Sequence, residues 1–234
     1  MDIAEKLAEE LNVETVFTLK LGGFEIPINE STVVSWILIG IVFIICLILG
    51  SRLKVRNISK RQAAAEFIVT KLESLVSGMV GEEAKGYVPY LLAVLIFLAF
   101  SNICGIFGFK PPTKDLNVTA ALAIMSIIVV QFANIKAHGP WGWIKSFTHP
   151  IAVVTPINIL ELVIKPLSLC MRLFGNVLGA FIIMKLIEIG MESAIHAPVI
   201  IPGIFSLYFD LFDGGLQAYV FVFLTSLYIK EAVE

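Results

Sequence analysis

Six positions late in the chain, Glu161, Lys165, Ser168, Arg172, Asn176 and Gly179, recur at steps of three or four through sequence that is otherwise apolar. On an α-helix that spacing gathers them into one polar stripe along the cylinder. Arg172 stands in the middle of it, in the run SLCMRLFGNVLG, with Leu, Met and Cys before it and Leu, Phe and Gly after it. A guanidinium keeps its proton at any accessible pH. A second stripe, Ser206, Asp210, Asp213, Gly214 and Gln217, follows the same spacing near the C-terminal end. Ionisable side chains at membrane depth cost on the order of 3 kcal/mol each on insertion scales, and they usually line an ion path or meet a partner. One stripe with a fixed cation and another with two carboxylates read together as the walls of such a path.

Plainer roles exist for each group. A salt bridge from Arg172 to Asp210 or Asp213 would lock two helices together, yet it would leave the length of the stripe unexplained. Gln217 and Asn176 also suit interhelical hydrogen bonding, and Glu161 with Lys165 makes an i,i+4 pair. His138 and His149 read as solvated loop residues, because no acidic partner is spaced for coordination, so no metal site is expected. Cys46, Cys104 and Cys170 lie in apolar runs and read as small buried hydrophobes. There is no phosphate-cradling loop and no nucleophile–base constellation. Nor is there a basic stripe for nucleic acid. The chain is expected to bind no cofactor and to perform no nucleotide chemistry of its own.

The elements that must position these residues follow from composition. Of 234 residues 58% are hydrophobic and 15% charged, with a mean hydropathy of +0.90, which predicts an all-α membrane protein of several spans. Residues 1–31 form an acidic segment, and residues 32–234 read as a single integral membrane domain. A first span covers about 33–50. The run SRLKVRNISKR after it carries Arg52, Lys54, Arg56, Lys60 and Arg61, so the positive-inside rule places it in the cytoplasm and the N-terminus outside. Residues 62–80 are too polar to span, with Ile68, Leu72, Leu75, Val76 and Met79 at helical spacing, and they predict an amphipathic helix at the cytoplasmic interface.

Further spans cover about 87–109 and 118–135, separated by the turn KPPTKDLN, where Asp115 or Asn117 can cap the next helix. The run KAHGPWGWIKSFTHP reads as a cytoplasmic loop with Trp141 and Trp143 at the interface. The last two segments, about 156–190 and 202–229, are too long to stand upright. Roughly 35 helical residues reach ~50 Å, against a hydrocarbon layer of ~30 Å. They predict a strongly tilted antiparallel hairpin, turning near residues 194–195, with the C-terminus cytoplasmic. In that hairpin Arg172 is level with Gln217, Asn176 is near Asp213 and Asp210 is opposite Gly179. Lys185 and Glu188 fall on the far side, pointing outward.

The runs PINILELVIKPLSLCMRLFGNVLG and GGLQAYVFVFLTSLYI, with PPTKDLN and FTHP in the same order, resemble the a subunit of F-type ATP synthases, in its bacterial or plastid form. The resemblance covers most of the chain from the first span onward. It implies a stator subunit in the bacterial plasma membrane, packed against a rotating c-subunit ring, held by the b-subunit peripheral stalk and joined to the remaining synthase subunits. It implies that Arg172 is the essential stator charge facing each ring carboxylate, between two offset aqueous half-channels. Coupling-ion flow, H+ or Na+, then drives rotation and ATP synthesis in the soluble head. Many members of that family carry a glutamate nine residues after the arginine, where this chain has Phe181; Asp210 and Asp213 instead supply carboxylates on the final helix. The ion-pathway residues expected from both lines of reasoning are Asn176, Asp210, Asp213, Gln217, Glu161, Ser168 and Lys165. A cation-coupled secondary transporter or exchanger is the competing reading; such proteins commonly show paired internal repeats, and none is visible here.

Overall fold

The computed structural model describes residues 15–21, 24–51, 53–54, 58–147, 154–195 and 200–234. It opens on a two-stranded antiparallel hairpin, β1 (Thr15–Leu21) and β2 (Phe24–Asn29), where the sequence predicts only an acidic segment. Lys20 and Glu25 face each other across it at 2.7 Å, an opposite-charge cross-strand pair of the kind that favours a register.

Helices make up most of the rest. They are α1 (Glu30–Gly50), α2 (Lys60–Val80), α3 (Val88–Ile103), α4 (Leu116–Ser146), α5 (Thr155–Ile195), α6 (Ile200–Ser206) and α7 (Gly214–Val233). Single 3-10 turns precede and follow α3, and a π-helical turn, Leu207–Asp213, joins α6 to α7. Five helical stretches among the described residues are long and apolar enough to cross a membrane: Glu30–Gly50, Lys85–Phe107, Leu116–Ser146, Thr155–Met191 and Gly203–Val233. The all-α membrane class is thereby established. At 41 residues, α5 is roughly 60 Å long, about twice the hydrocarbon thickness.

One boundary differs from expectation. The loop foreseen after residue 135 is largely helical, with a break inside α4 at Gly139, whose φ of 74° and ψ of 166° only glycine adopts readily. Trp143 Nε1 donates to Gln131 Oε1 at 2.8 Å. Twelve residues of straight helix would separate these groups by ~18 Å, so the segment after Gly139 folds back on the one before it. His138 accordingly belongs to α4 and not to a loop. By contrast, α5 continues through Pro166.

The chain divides into two compact units. One holds the described parts of Met1–Leu38, Leu98–Ala121 and Cys170–Ala218, the other those of Ile39–Phe97, Leu122–Leu169 and Tyr219–Glu234. In the first, Leu98, Cys104, Cys170, Leu173, Val177 and Ala218 are buried. Asp115 caps α4, accepting the Asn117 backbone N–H on Oδ1 at 2.9 Å, while Asn29 Nδ2 donates to its other oxygen at 3.4 Å. In the second, Val76, Val80, Leu91, Val130, Val222 and Ile229 are buried, and the Tyr90 hydroxyl meets Ser126 Oγ at 3.0 Å.

Of the face expected on α2, Val76 is buried, but Ile68 and Leu75 are exposed. Cys46 is exposed too, contrary to the buried role foreseen for all three cysteines. It sits on α1, whose sides are almost wholly uncovered by the other described residues.

Candidate functional site

Within the first unit α5 shows two distinct faces. Cys170, Leu173 and Val177 are buried, whereas Arg172 and Asn176, one turn apart, are exposed. The i,i+4 spacing thus produces the polar stripe that the sequence predicts, but the stripe looks away from this chain's own packing. Among the described residues Arg172 makes no ion pair with Asp210 or Asp213. The guanidinium is not consumed in locking a hairpin.

The carboxylates occupy different ground. Asp210 and Asp213 line a cavity of about 390 Å³ together with Asn102, Phe181, Lys185 and Glu188, a space with charged groups on partly apolar walls and room for several water molecules. Ser206 Oγ donates to Asp210 Oδ2 at 2.6 Å. Lys185 Nζ donates to Glu188 Oε2 at 2.9 Å. Lys185 and Glu188 therefore do not project outward, as expected, but join the carboxylates. The reason is rotational. Thirteen residues at 100° each carry Lys185 about 220° around α5 from Arg172, and this side, with Val177 and Phe181, is the one that lines the cavity shared with Asp210. For the same reason Asn176, expected beside Asp213, lies on the exposed face and not among the cavity's lining residues. Gln217 is buried.

Phe181 holds the position at which the resemblance leads one to expect glutamate. Its ring takes the buried Lys114 ammonium at 4.5 Å and that of Lys185 at 6.0 Å, the geometry of cation–π attraction.

The final helical run departs from a plain α-helix where its carboxylates sit. Asp210 and Asp213 both belong to the π-helical turn, which inserts an extra residue and re-aims the side chains around it; such turns recur at functional sites. Neighbouring residues clamp it. Asn102 Nδ2 donates to the Gly214 carbonyl at 2.8 Å, and Asn102 Oδ1 accepts from Thr113 Oγ1 at 2.8 Å. A Cβ on Gly214 would lie 2.7 Å from that of Asn102, so glycine permits the close approach. Sequence reasoning passes over Asn102, and its polar side chain in the apolar run LAFSNIC is the signal that marks it.

In the second unit Glu161 and Ser168 are exposed and Lys165 half-buried. Lys165 Nζ reaches Glu161 at 3.2 Å, as the i,i+4 spacing predicts, and also Glu231 at 3.0 Å, with the Tyr228 ring 5.2 Å away. Local spacing does not mark Glu231, which lies 66 positions beyond Lys165. His149, Arg52 and Arg56 lie outside the described residues.

Apolar spans carrying an outward-facing arginine on one surface and a carboxylate-lined cavity beside another define a polytopic membrane protein of ion transport. The chain belongs to the ATP synthase A chain family, whose sequence model matches residues 32–230. It is similar to ATP synthase subunit a of Moorella thermoacetica, 32% identical over 214 residues that span 89% of this chain and 93% of that protein. Subunit a of Nitratidesulfovibrio vulgaris strain DP4 is 34% identical over 230 residues, 96% of this chain and 93% of its own. The sodium ion specific ATP synthase subunit a of Propionigenium modestum is 30% identical over 229 residues, 91% and 76% respectively. This chain is thus an F-type ATP synthase a subunit, a membrane component that works in assembly with the other synthase subunits.

Proposed function

We propose that this chain is the stator half of the synthase's ion drive, with Arg172 acting on the carboxylate of each passing c subunit. The observation that carries the reading is the separation of charge: the guanidinium is exposed and lacks an ion pair within the described residues, while the chain's own carboxylates turn to a cavity. A cation on an apolar surface calls for an anionic partner from outside the chain, and the ring carboxylate supplies it.

The mechanism follows from the chemistry of the two groups. Opposite charge lowers the proton affinity of the ring carboxylate as it reaches Arg172, so its ion leaves toward the cytoplasm. Arg172 keeps its own proton and blocks direct leakage past it. Asp210 and Asp213 line the outer half-channel, where water in the cavity relays ions to the next ring site and neutralises it for passage into lipid. Asn176 and Gln217 flank the arginine, and Glu161, Lys165 and Ser168 stand on the inner route. The N-terminus is outside, the C-terminus is cytoplasmic, and the b-subunit stalk holds the chain against rotation.

The test is ion-driven ATP synthesis by the complete complex in liposomes, with Arg172→Ala, Arg172→Lys and the Asp210→Asn/Asp213→Asn pair, at varied H+ and Na+. Coupled synthesis should be lost in the alanine variant, and lysine should restore little of it. Retained coupled synthesis in Arg172→Ala would overturn the stator role. A normal rate in the double asparagine variant would overturn the outer route.

A further inference from the structure

We propose that Gly105 is a positioning residue that, with Ser206, fixes the Asp210 carboxylate in the cavity, and that Asn102 anchors the helical turn bearing it. The inference rests on the cavity being the ion route. It starts from a space that only a hydrogen can fill. A Cβ built on Gly105 would stand 2.6 Å from Asp210 Oδ1, 2.7 Å from Cγ and 2.9 Å from Oδ2. All three separations are closer than real methyl contacts, so any other residue at position 105 displaces the carboxylate.

Gly105 lies in the 3-10 turn Cys104–Phe107, and its φ is not in the left-handed region. The backbone there would tolerate alanine. What excludes a side chain is the approach of Asp210, not the conformation of the turn. On its other side the carboxylate is held by Ser206 Oγ at 2.6 Å. Gly105 on one side and Ser206 on the other thus bracket the carboxylate in the cavity wall.

The same short segment grips the π-helical turn at its far end. Asn102, three residues before Gly105, donates to the carbonyl of Gly214, the residue that closes the turn. The segment from Asn102 to Gly105 therefore touches the turn at Asp210 and again at Gly214. An isolated π-turn is a rare excursion from the α-helix. Two fixed points, one at the carboxylate and one at the end of the turn, hold this one in register.

The experiment uses the complete complex in liposomes. ATP synthesis is measured at fixed membrane potential while external pH and, separately, external Na+ are varied. Gly105→Ala should raise the external ion concentration for half-maximal synthesis by at least about fivefold, the smallest factor that forcing a methyl into a filled space implies. The maximal rate should stay within about twofold of wild type. Placed in an Asp210→Asn background, Gly105→Ala should add no further shift, because the group it displaces no longer acts. An unchanged half-saturation in Gly105→Ala, or an equal shift in both backgrounds, overturns the positioning role. Should Gly105→Ala fail to assemble, Gly105→Ala/Asp210→Ser gives the methyl room; restored assembly supports the seat, and continued failure overturns it. Wild-type half-saturation in Asp210→Asn alone overturns both the cavity route and the inference built on it. An impaired Asp210→Asn beside an unaffected Gly105→Ala overturns only the latter.

Discussion

Asn102→Leu should destabilise the first unit by an amount that its surroundings define. The side chain is 3% exposed and its partner Thr113 is 0% exposed, so water does not replace a lost bond at either. Leucine keeps the branched outline of asparagine but is bulkier, so an overpacking term of about 1 kcal/mol or more adds to the loss. Two hydrogen bonds vanish, one to the Gly214 carbonyl and one from Thr113 Oγ1, each 2.8 Å in the native chain. In soluble cores each abandoned partner costs about 1–3 kcal/mol, but bonds between membrane helices average nearer 0.6 kcal/mol.

The Gly214 carbonyl opens α7 and can accept within the helix, so the larger share falls on the stranded Thr113 hydroxyl. Together these set a loss of about 1–4 kcal/mol. Thr113→Val removes that hydroxyl, so the double variant should be less impaired than the sum of the singles by about 0.6–1.7 kcal/mol. Heat-induced loss of protease protection of this chain, measured on the purified intact complex, reads the series. Stability of Asn102→Leu within about 0.5 kcal/mol of wild type, or strict additivity with Thr113→Val, would refute the reasoning.

Asp115→Ala should cost about 0.5–2 kcal/mol on the same assay, because the cap on the Asn117 N–H is lost, whereas Asp115→Asn, also a good cap, should cost less. For the Lys165–Glu231 pair, whose side chains are 25% and 60% exposed, a double-mutant cycle with Lys165→Met and Glu231→Gln should give a coupling of about 0.2–1 kcal/mol that shrinks in high salt; a larger, salt-independent value would show the pair to be truly desolvated.

Much of the architecture was legible because a bilayer imposes simple requirements on sequence. Apolar length located the spans, the position of Asp115 after a Pro-Pro pair located a helix start, and i,i+4 spacing located the stripe through Arg172. The extra helix after Gly139 was not legible, since Gly-Pro reads as a stop and only the Trp143–Gln131 bond reveals the fold-back. The N-terminal hairpin escaped as well, because acidic composition obscures the short alternation of Thr15–Leu21.

The candidate site shows where sequence reasoning ends. Helical periodicity determines which residues share a face of α5, so Arg172 and Asn176 were correctly grouped, and Lys185 with Glu188 correctly set on another side. It carries no information about which side a neighbouring helix occupies, because that depends on how whole surfaces pack. Tertiary structure reversed the assignment: the Lys185 side meets Asp210 at the cavity, and the Arg172 side is left open. Periodicity also assumes a constant turn, and the π-helical insertion at Leu207–Asp213 breaks that assumption where the carboxylates lie. The types and depths of the charged residues were written along the chain. Their orientation was decided by contacts with residues about a hundred positions away, at Asn102 and Gly105, where the absence of a Cβ matters only once another helix arrives.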